Sequence, residues 1–67
     1  MEDWTLVFSS SKLHEVNYVK ELLEENGIVS VIVNKQDSIY LFGEIELYVQ
    51  VEYAFNASQL INKLKSE

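Results

Sequence analysis

Sixty-seven residues allow one domain, residues 1–67, with one modest core, because a chain this short buries only about 60% of its unfolded surface. Eleven Asp and Glu stand against five Lys, with no Arg, for a formal charge of −6; this repels phosphate backbones and anionic membrane surfaces and supplies no guanidinium fork for base recognition. Nucleic-acid and membrane partners are disfavoured, and the absence of cysteine excludes a disulfide and fits a reducing compartment.

The first residues, MEDWT, are acidic where a signal peptide is basic. No apolar run approaches the roughly 20 residues of a membrane helix. A cytoplasmic location is expected. WTLVFSS, Trp4–Ser10, is rich in aromatic and β-branched residues and reads as a strand. The serines Ser9, Ser10 and Ser11 follow, and a serine here is placed to cap a helix by accepting a backbone N–H bond. That helix is expected over residues 12–26. Val16, Val19, Leu22 and Leu23 form its apolar stripe, with Leu13 and Tyr18 flanking it. Asn26-Gly27 is a stop signal, since glycine adopts the left-handed cap conformation without a Cβ clash.

IVSVIVN, residues 28–34, is the second expected strand. It carries apolar side chains on both faces, so it is either buried or lies against something. EIELYVQVE, residues 44–52, alternates cleanly: Ile45, Leu47, Val49 and Val51 point one way, and Glu44, Glu46, Tyr48, Gln50 and Glu52 the other. Residues 53–64 place Ala57, Leu60, Ile61 and Leu64 at helical spacing.

The order is β-α-β-β-α. A right-handed crossover makes the first two strands parallel, and the third returns antiparallel between them. The expectation is an α+β, ferredoxin-like split β-α-β fold. Its three-stranded sheet has the order 2-3-1, two helices cover one face, and the outer edge of the first strand is open.

The short first strand, the helix ending LLEENGI, the strand IELYV and the final helix NASQLINKL together resemble a small bacterial family. Its label is putative prokaryotic signal transducing protein. The resemblance spans nearly the whole chain and rests on fold motifs. It implies a ferredoxin-like regulatory domain, by analogy with PII-type regulators, and brings no catalytic residue and no cofactor.

Read singly, the chemical candidates are sparse. His14, the lone histidine, has no companion metal ligands at suitable spacing and reads as a solvent-facing helix residue. Asp37, Glu44 and Glu46 lack the spacing of a calcium loop and read as a charged outer face. Ser9, Ser10, Ser11 and Lys12 form a weak anion or ligand corner at a helix start, without the glycine of a phosphate loop. No nucleophile motif is present, so an enzyme is not expected.

The connector, residues 35–43, is longer than a usual hairpin loop and carries Ile39, Tyr40, Leu41 and Phe42 in a row. These either fold over the end of the core, extend the strand with Gly43 as a bulge, or form a contact surface. Trp4 and Tyr48 extend the same candidate surface. The expected role is a small regulatory or protein-interaction module whose partner is a second copy or another protein. Association would use strand pairing at residues 4–8 or packing of residues 39–42. The alternative is a domain that senses a small-molecule effector.

Overall fold

The computed structural model describes residues 3–36 and 43–65. β1 spans Trp4–Ser10, α1 Leu13–Glu25, β2 Ser30–Asn34 and β3 Ile45–Gln50. A 3₁₀ turn, Val51–Tyr53, leads into α2, Ala54–Lys65. The sheet order is β1-β3-β2, with both outer strands antiparallel to β3 and so parallel to each other. This is the expected ferredoxin-like α+β arrangement, with three strands among the described residues.

Both helices pack on one face of the sheet. The interior joins Val16, Val19 and Leu23 of α1, Ile28, the β3 residues Ile45, Leu47 and Val49, and Ala57 and Ile61 of α2. Leu60 and Leu64 are half-buried against this cluster. The helix spacing read from the sequence therefore faces the core. The molecule is a slab of 35 × 32 × 16 Å, its thin dimension being one sheet and one helix layer.

Gly27 ends α1 as expected. Its φ is +80°, the Ile28 N–H donates to the Leu23 carbonyl at 2.9 Å, and the Gly27 N–H donates to the Glu24 carbonyl at 3.0 Å. This pair of bonds is a Schellman cap, in which the residue after the glycine packs back on the helix. Here that residue is Ile28, buried with Leu23 in the core.

Three expectations need correction. No serine caps α1: Lys12 is the N-cap and makes no side-chain capping bond. The Ser10 hydroxyl instead accepts from the Lys12 N–H at 3.1 Å, one position ahead of the helix. Val51 is not a core residue and is 56% exposed. The Val51 N–H still bonds the Asp3 carbonyl opposite it at 2.9 Å, but its own carbonyl is taken by the Ala54 N–H as the 3₁₀ turn begins and the chain leaves the strand. β2 starts at Ser30 rather than at residue 28, since Ile28 is committed to the helix cap. β1 spans Trp4–Ser10 as expected, with one irregularity: Leu6 pairs with Tyr48 and Phe8 with Leu47, which leaves Val7 as an extra bulged residue. Val7 and Phe8 both pack on the core cluster.

Among the described residues, Ser30 is the one buried polar residue, and its hydroxyl finds no hydrogen-bond partner there. An unpaired buried hydroxyl costs about 1–3 kcal/mol.

Candidate functional site

Antiparallel partners point to the same face of a sheet, so the register sorts the strand residues. Thr5, Phe8 and Ser10 of β1 accompany Val49, Leu47 and Ile45 toward the helices. Trp4, Leu6 and Ser9 accompany Gln50, Tyr48 and Glu46 toward the opposite face. Val31 and Val33 join Tyr48 and Glu46 there. Among the described residues, no helix lies over this face.

One row crosses the whole sheet on that open side: Leu6, Tyr48 and Val31. Leu6 is 45% exposed and Val31 37%, while Tyr48 is half-buried. Trp4 beside Gln50 lies on one flank, and Ser9, Glu46 and Val33 form the row on the other. A contiguous exposed apolar strip carries more information than a single exposed leucine.

A small polar network borders the strip. The Tyr48 hydroxyl donates to Glu46 Oε1 at 2.8 Å, and Lys35 Nζ lies 3.0 Å from the same oxygen. These two hydrogen bonds, that of Tyr48 first, hold the Glu46 carboxyl below its ordinary pKa. The bond to Glu46 in turn raises both Lys35 and Tyr48. A depressed carboxyl contributes stability above its unfolded pKa and loses it as pH falls through the folded value. The raised groups contribute below their ordinary values and lose that contribution as pH rises through the folded ones. In Tyr48→Phe, the Glu46 titration midpoint followed by NMR is expected to move up toward the ordinary carboxyl value. A midpoint unchanged in that variant would show that Lys35 alone sets it.

The structure brings Trp4 and Tyr48, two residues singled out from sequence, to one face. Ile39, Tyr40, Leu41 and Phe42 lie outside the described residues, as does Asp37. Leu6, Val31 and Val33 were missed as surface residues. The signal for the two valines was present in β2, whose apolar side chains on both faces leave one set uncovered when helices occupy one side only.

The serine corner is built differently from an anion site. The Ser10 hydroxyl donates to Glu15 Oε1 at 2.5 Å, and Gln36 Nε2 donates to the Ser11 carbonyl at 2.7 Å. Ser9 points to the open face beside Glu46, and Lys12 is exposed. The carboxylate that meets Ser10 would repel a bound anion.

Near this corner a cleft of about 500 Å³ opens between α1, β1 and the end of α2. Its walls include Phe8, Tyr18, Ile61 and Leu64, with His14 and Lys65 among its polar residues. Among the described residues, no three of His, Cys, Asp and Glu gather as a metal site would require, and no helix is long and apolar enough to cross a membrane.

No curated protein and no solved structure shows significant similarity to the chain. Residues 4–65 match the family described as putative prokaryotic signal transducing protein, a span that takes in every strand and helix above. The chain belongs to that family.

Proposed function

We propose that the protein is a small, non-enzymatic regulatory module of the cytoplasm that works by binding protein, and that it self-associates. The observation that carries this reading is the uncovered apolar row of Leu6, Tyr48 and Val31. A sheet face open to water is ordinarily polar at alternate positions, and here Trp4 and Leu6 of β1 and Val31 and Val33 of β2 break that alternation on either side of β3. The small core adds a second reason, because chains of this size gain stability from a partner subunit. The family description supplies the regulatory context.

Sedimentation equilibrium over a wide concentration range tests the assembly part. The expected result is a mass that rises from one chain toward two with concentration. A constant single-chain mass at the highest concentration would refute self-association.

A second reading, binding of a small-molecule effector, is favoured by the cleft between α1, β1 and α2. Its size falls in the range of ligand pockets. A reproducible rise in melting temperature with one nucleotide or amino acid, at unchanged mass, would give this reading precedence.

A further inference from the structure

We infer that the interface is the open face of the sheet, and that its occupant is a second copy of this chain, docked sheet to sheet about a two-fold axis. This inference rests on the self-association proposed above and specifies the surface that performs it.

Charge disfavours α1 as the contact. Its exposed side carries Glu15, Glu21 and Glu25 besides the Lys20–Glu24 pair at 2.7 Å, so a second copy presenting the same helix there meets an excess of like charge. On the sheet face, Trp4, Leu6, Ser9, Val31, Val33, Tyr48 and Gln50 are uncharged. Glu46 is matched by Lys35 in an ion pair of 3.0 Å, and Glu44 stands at the hairpin margin. A chain of charge −6 can therefore meet its own copy here without opposing carboxylate to carboxylate at the centre.

The same distribution is self-complementary. In a two-fold contact every interaction occurs twice, so Lys35 of each copy can face the Glu44 and Glu46 carboxylates of the other. Apolar rows then form the centre and charged groups the rim, which is the usual anatomy of an interface.

Size is also compatible. A standard interface takes about 800 Å² from each partner; three strands of seven, six and five residues, about 4.8 Å apart, offer a smaller face, which suits a weak, concentration-dependent dimer. Stacked sheets pack about 10 Å apart, so the second sheet would cover the strip as the helices cover its other side.

The competing geometry, strand pairing along the outer edge of β1, is opposed by the bulge at Val7. A bulge twists an edge and interrupts the run of groups a new strand would need.

The test uses the full chain. Leu6→Glu and Val31→Glu each place a carboxylate in the apolar strip that the contact buries. Each is expected to raise the dimer dissociation constant about 100-fold, since a carboxylate taken into an apolar contact without a partner is costly to desolvate. Phe55→Glu, at a side chain 71% exposed on α2, is expected to leave it unchanged. A wild type that stays monomeric at about 1 mM, a concentration that populates even weak complexes, overturns both this interface and the self-association behind it. A wild-type dimer unaffected by Leu6→Glu and Val31→Glu overturns the interface alone. Should either variant lose its circular dichroism, an NMR dilution series of the wild type decides. Shifts centred on Leu6, Tyr48 and Val31 support the interface, and shifts confined to α1 or α2 overturn it.

Discussion

Leu47→Ala is expected to remove about 2–5 kcal/mol of folding free energy, read as a lower urea midpoint at unchanged slope. Leu47 is fully buried in the middle of β3, the strand that both neighbours pair with. Truncation loses the transfer energy of its methyl groups and leaves a cavity beneath two helices, where surrounding atoms relax only partly. Stability scales at roughly 0.05–0.15 kcal/mol per residue, so a chain this short holds about 3–10 kcal/mol in total. The loss is thus a large fraction of what exists, and the variant is expected to be substantially unfolded at 37 °C. A shift below about 1 kcal/mol would mean that the core collapses freely around the gap, at odds with interlocked packing.

Gly43→Ala is the second large effect, and its cause is backbone rather than burial. Gly43 has φ +91°, a conformation that a Cβ opposes. An alanine Cβ would also stand 2.6 Å from the Lys35 carbonyl oxygen. That oxygen belongs to the base of the β2–β3 hairpin, where the Lys35 N–H bonds the Glu44 carbonyl at 3.2 Å. Backbone cannot swing aside as a long side chain can, so the hairpin base must distort. The expected loss is about 2–4 kcal/mol.

Gly27→Ala is the internal comparison. That glycine also has positive φ, yet a Cβ there meets nothing within 4 Å, so only the conformational part, about 1–2 kcal/mol, applies. The difference between the two urea midpoints isolates the steric part. Equal losses would show that the contact with Lys35 relaxes without cost.

The element order was legible because each element had a local signature. β3 alternated, α1 ended in Asn26-Gly27, and α2 repeated its apolar residues every three and four positions. The errors arose where the deciding interaction was distant or unpunctuated. Val51 continued the alternation of β3, but the chain turns there into the 3₁₀ helix, in which the Ala54 N–H bonds the Val51 carbonyl, and no change of composition marks that turn. The bulge at Val7 involves no glycine and no change of composition, so nothing in WTLVFSS marks the extra residue. Ser10 was rightly placed near the start of α1, yet its hydroxyl joins Glu15 and the Lys12 N–H instead of capping the helix.

The candidate surface was legible only in part, for a related reason. Trp4 and Tyr48 stood out as aromatics, whereas Leu6, Val31 and Val33 are unremarkable strand residues. Their exposure follows from which side both helices choose, a property of the whole fold. Residues 39–42 drew attention as a local apolar run, and the surface on the sheet is defined without them.

The strand order β1-β3-β2 also bears on how the chain comes together. β2 and β3 are joined by one connector and can close as a hairpin at small entropic cost, whereas β1 meets β3 only after α1, β2 and the connector have been looped out. Contacts of long sequence separation form slowly. The hairpin is therefore the natural early unit and β1 the late arrival, so for an interval the outer edge of β3 stands unpaired. During synthesis the order of emergence is reversed: β1 leaves the ribosome first and must wait, with Trp4, Leu6 and Phe8 unsheltered, for the strand it will pair with.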